Sequence, residues 1–326
     1  MKKNIAIIAG GDSSEVVVSL KSAQGLRSFI DKSLYNTYIV TMQEKEWTVD
    51  LAGVNIPIDK NDFSFSHNGE KVEFDCAYIT IHGTPGENGI LQGYFDLVNM
   101  PYTSCDVLVS ALTFNKFVCN TYLKGFGVQV AESLVLRKGM PIDAEAIISQ
   151  IGLPCFVKPN TGGSSFGVSK VKEAAQVTEA IKKAFGESDE VIVEALIEGT
   201  EVTNGIYKTK KKTVVLPITE VVTDNDFFDY EAKYIQGKAD EITPARIPDE
   251  LTQRIKTLTS AIYDILGCKG LIRIDYIIQE GDIFLLEINT VPGMTATSFI
   301  PQQIAAEGIE IADVFTDIIE EAITQK

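Results

Sequence analysis

Two apolar runs late in the chain constrain its fold more than any other feature. Leu271-Ile272-Arg273-Ile274-Asp275-Tyr276 is followed by Leu285-Leu286-Glu287-Ile288-Asn289-Thr290. Polar residues interrupt both runs at every second position, the period of a β-strand. Arg273 and Asp275 therefore share one face, as do Glu287 and Asn289. The pattern predicts a hairpin over residues 271–279 and 283–289. A three-residue loop, Glu280-Gly281-Asp282, would pair Asp275 with Glu287 and Arg273 with Asn289. A two-residue loop would put Asp275 and Glu287 on opposite faces, so the three-residue loop is expected. Two carboxylates and an amide gathered this way are hard oxygen ligands, suited to Mg2+ held jointly with nucleotide phosphates. The alternative is an Arg–carboxylate pair on a solvated sheet face. Both strands are otherwise apolar, however, and such a cluster is costly to bury without a ligand.

A second constellation is Val157-Lys158-Pro159-Asn160-Thr161-Gly162-Gly163-Ser164-Ser165-Phe166-Gly167. A strand delivers a lysine, and a loop of small residues then offers backbone N–H groups and hydroxyls that suit phosphate. No Gly-Lys-Ser/Thr follows, so it is not a Walker A loop, and its glycine spacing is not that of a dinucleotide fingerprint. Taken alone, a plain hairpin accounts for it equally well. Lys116 gains meaning only as a second cation beside Lys158. After the hairpin, Val291-Pro292-Gly293-Met294-Thr295-Ala296-Thr297-Ser298 can aim an N–H and a hydroxyl at an anionic centre, although an ordinary turn before a helix would look the same.

Around these motifs the chain alternates strands and helices, which predicts an α/β fold with a parallel sheet in its first part. Strands are expected at 4–9, 35–42 and 74–81. Helices are expected from a Ser13 or Ser14 cap to about residue 30, and at 88–98. Later come a helix at 113–124, a strand at 128–136, a helix at 143–151, strands at 155–158 and 168–171, and a helix at 173–185. Strands at 191–195, 201–208 and 213–219 and a long helix at 249–266 precede the hairpin. With 326 residues the chain is expected to divide into three lobes, 1–104, 105–187 and 188–326. Residues 223–245 break the periodicity and read as a long functional loop or lid.

The net charge of −16 excludes a nucleic-acid binder, which needs a basic face, and obliges any anionic ligand to find a local basic pocket. The five cysteines contain no C-x-x-C pair and read as buried free thiols of a reducing compartment. No apolar run reaches membrane-spanning length, and residues 5–9 are too short for the core of a secretory signal. A cytoplasmic protein with no membrane partner is expected.

In their order and spacing these stretches resemble the D-alanine–D-alanine ligases of the ATP-grasp class. The resemblance covers nearly the whole chain. It is carried by Gly10-Gly11-Asp12-Ser13-Ser14-Glu15 with Val18-Ser19-Leu20, and by His82-Gly83-Thr84-Pro85-Gly86-Glu87. Lys158-Pro159 with Gly163-Ser164-Ser165, Tyr230-Glu231-Ala232-Lys233-Tyr234, Arg273-Ile274-Asp275, and Glu287 through Thr295 complete it. It implies an ATP-grasp fold: an N-terminal parallel α/β lobe, with central and C-terminal lobes clasping ATP. Glu15, near His82, would bind the ammonium of the first D-alanine. Lys116, Lys158 and Ser165 would hold ATP phosphates. Glu194, Ala195 and Leu196 would meet the adenine and Glu201 the ribose, while Lys233 would reach the γ-phosphate. Asp275, Glu287 and Asn289 would bind two Mg2+, which Mn2+ could replace. Arg273 and the Gly293 backbone would form the oxyanion site, and Ser298 would hold the second substrate's carboxylate. Ser164 and Tyr234 would join Glu15 in a hydrogen-bonded group closing the site, with Tyr234 favouring an amine nucleophile over D-lactate. A homodimer through the first lobe is also implied.

The reaction implied proceeds through a D-alanyl phosphate and yields the D-alanyl-D-alanine used in peptidoglycan precursors. Val16 and Asn88 depart from the residue types common at their positions, without removing a catalytic group. D-lactate or D-serine ligation, another carboxylate–amine ligase and a non-catalytic nucleotide-binding regulator are the alternatives. The last would require a damaged site, and Lys158, Arg273, Asp275, Glu287 and Asn289 are all present.

Overall fold

The computed structural model describes residues 2–13, 15–163, 166–223 and 239–324. The first strand, β1 (Lys3–Gly10), is continuously buried from Ile5, as a central parallel strand requires. It is followed by α1 (Val16–Phe29), β2 (Tyr35–Gln43), β3 (Glu46–Leu51) and β4 (Val54–Pro57). The hairpin β5 (Phe65–His67) and β6 (Glu70–Val72), then β7 (Cys76–Ile79) and α2 (Ile90–Leu97), complete this part. The sheet order is β4-β3-β2-β1-β7. β1 pairs parallel with β2 and β7, but β3 and β4 add antiparallel, so the sheet expected to be parallel is mixed. The chain passes from β2 to β3 through Glu44-Lys45, charged residues that carry no turn signal; Asn68-Gly69, between β5 and β6, does carry one. Glu15, not Ser13 or Ser14, occupies the N-cap of α1. The Ser13 hydroxyl accepts the Glu15 N–H and donates to the His82 carbonyl.

Next come α3 (Val107–Phe114), α4 (Lys116–Lys124), β8 (Gln129–Val130), β9 (Ser133–Arg137) and α5 (Ala144–Ile151). Then follow β10 (Cys155–Pro159), β11 (Ser169–Val171), α6 (Val177–Ala184) and β12 (Glu190–Ala195). The single helix expected at 113–124 is broken at Asn115, which is extended and caps α4 by accepting the Val118 N–H. An Asn side chain competes for backbone groups in this way. The break turns the start of α4 onto the loop after β10: Asn160 accepts the Lys116 N–H at its carbonyl and the Phe117 N–H at its side chain. The strand expected at 128–136 is split as well. β9 joins the four-stranded sheet β11-β10-β12-β9, and β8 joins the sheet that follows. β12 lies between β10 and β9, so this second sheet runs through residue 195, past the lobe boundary expected at 187/188.

The remaining elements are β13 (Thr200–Lys208), β14 (Thr213–Thr223), β15 (Ala239–Ile242), α7 (Asp249–Leu266), β16 (Leu271–Gln279), β17 (Asp282–Asn289), α8 (Phe299–Glu307) and α9 (Ile311–Thr324). They form the sheet β15-β14-β13-β16-β17-β8. The β16–β17 hairpin turns on two residues, Glu280-Gly281, with Gln279 opposite Asp282, so the expected three-residue loop is not formed. A β-bulge supplies the missing residue instead. Tyr276 faces Leu285 while Asp275 faces Glu287, and Leu286 is the extra residue. Asp275–Glu287 and Arg273–Asn289 are therefore paired as expected, for a different reason.

A second irregularity, between Asn204 and Ile206 of β13, takes the Gly205 N–H out of the ladder with β14. Gln303 of α8 accepts that N–H at 2.9 Å and donates to Thr203 O and Thr219 Oγ1, both at 3.0 Å. This glutamine is fully buried with its hydrogen bonds made, and it fixes α8 on the sheet. One apolar core joins Ile5, Ile7 and Leu26 of the first lobe to Phe315 and Ile318 of α9. Close by, α1 meets the loop after β17 at Gly25, where a Cβ would stand 2.1 Å from the Met294 carbonyl oxygen. Gly25→Ala is expected to cost about 1–3 kcal/mol through overpacking. Urea unfolding measures it, and an unchanged midpoint would mean the loop gives way freely.

Candidate active site

Loops beside the first sheet and strands of the second and third line one cavity of about 880 Å³. The first lobe supplies Glu15, which is buried at the start of α1 where that helix meets the loop after β7, without its side chain capping the helix. The loop after β10 crosses directly in front of it. A Cβ on Gly163 would stand 3.0 Å from Glu15 Oε1, so no larger residue fits there without displacing the carboxylate.

The second sheet supplies Lys158. Strand alternation sends Phe156 and Lys158 to the cavity, while Cys155 and Val157 enter the core beneath. Lys158 Nζ lies 2.5 Å from Glu194 Oε2, and both side chains are nearly buried. Removing one partner of such a pair costs roughly 3–5 kcal/mol, because the other charge is left unpaired. Lys116 donates to the Gly162 carbonyl at 2.6 Å and stands 3.8 Å from Glu287 Oε2. Burial pulls its ammonium below the ordinary lysine value, and the Glu287 carboxylate partly offsets this. Phosphate oxygens brought to these two enclosed lysines would add to the counter-charge that Glu194 and Glu287 already supply.

The third sheet supplies the hairpin face. Arg273 grips Asp275 from its own strand, Nε to Oδ1 at 2.8 Å and Nη2 to Oδ2 at 2.7 Å. Asp275 also accepts from Thr203 Oγ1 on the adjacent strand and from Asn289 Nδ2 at 3.2 Å. The Arg–carboxylate pair foreseen as the alternative is thus formed, but on a cavity wall and not on an open face. Among the described residues no three His, Cys, Asp or Glu side chains group as a metal site, and the donors expected from the sequence are two carboxylates, Asp275 and Glu287, and the Asn289 amide. Hard oxygen donors of this kind suit a divalent ion, but all four lone-pair sites of Asp275 are taken here by Thr203, Asn289 and the two Arg273 bonds, so an ion bound at Asp275 would have to replace one of these hydrogen bonds.

Glu194, Ala195, Leu196 and Glu201 line the cavity, as do Asp275, Glu287 and Arg273. His82, Asn289, Gly293 and Ser298 stand outside its lining. His82 is buried, with Nε2 3.3 Å from Ser22 Oγ, and Ser22 also accepts the Met294 N–H. Burial lowers the His82 pKa, which favours the neutral imidazole, although the Glu15 charge opposes it. Ser298 Oγ accepts the Thr295 N–H at 3.0 Å and lies where a Cβ on Gly293 would be 3.0 Å away. Ser164, Ser165, Lys233, Tyr234 and most of the loop expected over 223–245 fall outside the described residues. Asn88 stays within its loop, donating to Thr84 Oγ1 at 3.0 Å.

Three contributors were not foreseen. Phe156 was legible from its two-residue spacing to Lys158. Thr203 was not, because only sheet pairing sets it opposite Asp275. Glu87 belongs to the His82 motif but had no assigned role. It accepts the Gly83 N–H at 2.7 Å, and burial together with the Glu15 charge pushes its carboxyl up to about 8. An acid with a raised folded pKa stabilises the fold at low pH, and that contribution is lost as pH rises from about 4.5 to 8. Glu87→Gln should therefore gain stability relative to the parent at pH 8 and little at pH 5, read from thermal melts across pH. A constant difference would show that Glu87 does not titrate in this window.

Comparison with known proteins gives a consistent result. The family model described as D-ala D-ala ligase N-terminus matches residues 4–105, and that described as D-ala D-ala ligase C-terminus matches residues 122–320. The D-alanine–D-alanine ligase of Phocaeicola vulgatus is 68% identical over 322 residues, covering 98% of this chain and 99% of that one. Among solved structures, the VanG D-Ala:D-Ser ligase from Enterococcus faecalis superposes with a TM-score of 0.85 at 30% identity, covering 99% of this chain and all of that one. A D-alanine–D-alanine ligase from Bacillus anthracis complexed with ATP gives 0.78 at 26% identity, over 99% and 98% of the two chains.

Proposed function

The chain belongs to the D-alanine–D-alanine ligase family, and from that premise we propose how its cavity joins two D-alanines at the expense of ATP. The fold is the ATP-grasp fold, and the enzyme is an ADP-forming ligase that serves peptidoglycan precursor synthesis. One observation carries the reading of the site: Glu15 at the start of α1, Lys116 at the start of α4, Lys158 of the second sheet, and Arg273, Asp275 and Glu287 of the third line a single cavity.

In this reading the first D-alanine's ammonium sits against Glu15, with neutral His82 behind. Its carboxylate attacks the γ-phosphate of ATP to give an acyl phosphate, and the amine of the second D-alanine attacks that carbonyl and expels phosphate. Lys116 and Lys158 neutralise the repulsion between carboxylate and triphosphate. Glu194, Ala195 and Leu196 lie toward the adenine and Glu201 toward the ribose. Asp275, Glu287 and Asn289 would hold Mg2+, two ions in the family's manner with Mn2+ as a substitute, which would offset charge on the transferring phosphoryl group. Arg273, with the Gly293 N–H, faces the oxyanion. Ser298 holds the second carboxylate. Ser164, Ser165, Lys233 and Tyr234 keep their proposed roles on motif resemblance.

Three lobes fit this reading, with the second extended through β12. No described helix is long and apolar enough to cross a membrane, which agrees with the cytoplasmic location proposed. A homodimer through the first lobe is also proposed. It is supported by the exposed apolar side chains Val17 and Leu97, the latter 85% exposed.

Phosphate release from Mg-ATP tests the reading. D-alanine alone should support it and L-alanine should not. Arg273→Ala is expected to lower kcat about 100- to 1,000-fold, the effect of losing an oxyanion donor. Release with D-serine or D-lactate but not with D-alanine alone would move the substrate assignment, and release with no pair would leave a binding role.

A further inference from the structure

We propose that the ring of Phe299 is a positioning group for Arg273, setting the plane of its guanidinium. The inference rests on the reading of Arg273 as the group facing the oxyanion. Arg273 Cζ lies 5.3 Å from the Phe299 ring centroid, within cation–π range. Both residues line the cavity, and the Arg273 side chain is only 15% exposed, so little water competes for the cation.

The geometry divides the work between two neighbours. Asp275 takes Nε and Nη2 in the plane of the guanidinium. That contact fixes one edge and still allows the plane to rock about it. A ring on the face removes the rocking, because a guanidinium stacks by its face and donates from its edges. Polar contacts toward the cavity then come from the remaining edge in a single orientation.

The ring is itself held firmly. Phe299 is the first residue of α8, and Gln303, one turn on, is hydrogen-bonded into the irregular stretch of β13. Gly205 of that stretch pairs with Arg273, and Thr203 pairs with Asp275. Guanidinium, carboxylate and ring are therefore all referred to the same two strands. A ring serving only as an apolar wall would be replaceable by any side chain of similar bulk. A ring acting on a cation must instead depend on its electron density.

Fluorination separates the two roles, because it withdraws density from the ring face while changing its size little. Mono-, di- and trifluorophenylalanine at position 299 should lower kcat stepwise, by about 2- to 30-fold in total, with KM for ATP unchanged. Phe299→Trp should retain most of kcat and Phe299→Leu should not. A kcat that does not respond to fluorination while Arg273→Ala still loses activity overturns the positioning role alone. Intact activity in Arg273→Ala overturns the oxyanion reading, and this inference with it.

Discussion

A carboxylate buried in the third sheet organises the rest of the site. Asp275 is only 7% exposed, and an isolated ionised carboxylate could not be kept there. Arg273, Thr203 and Asn289 hold it, from its own strand and from both neighbouring strands. That requirement accounts for one irregularity and one regular pairing. The bulge at Asp275/Tyr276 brings Glu287 and Asn289 onto the face of Asp275, and the pairing of β13 with β16 sets Thr203 opposite Asp275. Such a network is worth keeping only when it is satisfied and when its charge has a use. The phosphates and divalent ion proposed to bind at this cavity wall would provide the use.

The wider electrostatics follow the same logic. A chain of net charge −16 must build its anion site against its own field. It does so by enclosing Lys116 and Lys158 and pairing them with Glu287 and Glu194. These pairs keep the cations in place in a poorly solvated wall whose other charged side chains are mostly acidic, so the proposed triphosphate would meet positive charge at Lys116, Lys158, Lys170 and Arg273. On the opposite side, burial together with the Glu15 charge pushes the Glu87 carboxyl up to about 8, which favours its protonated form near the position proposed for the substrate ammonium. Each sign of charge thus lies where the two-step chemistry would require it.

Much of this was legible in particular residues. The alternation in 271–279 and 283–289 identified the hairpin and the face bearing Arg273, Asp275, Glu287 and Asn289. Lys158 and its loop, Glu15 beside the Gly10-Gly11 turn, and the long helix Asp249–Leu266 were readable as well. Strongly periodic segments show through because burial of one face is decided locally. β3 and β4 did not show through, since the Glu44-Lys45 link from β2 to β3 carries no turn signal and β4, at the sheet edge, is only four residues long. The break at Asn115 was hidden too: its extended backbone is balanced by hydrogen bonds to Asn160 and Glu190, far along the chain.

By itself, the sequence determined which side chains could do the chemistry, which ones share a strand face, and the family to which their order belongs. Those properties depend on residue type and on a two-residue or 3.6-residue period, and both can be read along a single segment. Only the tertiary structure decided that Asp275 meets Glu287 through a bulge and not a longer loop. It likewise decided that β12 completes the second sheet, that Gln303 fills the irregularity in β13, and that Phe299 lies over Arg273. Each of these is a hydrogen-bond or packing debt created in one segment and settled by another about a dozen to a hundred residues away, so no local pattern can contain it.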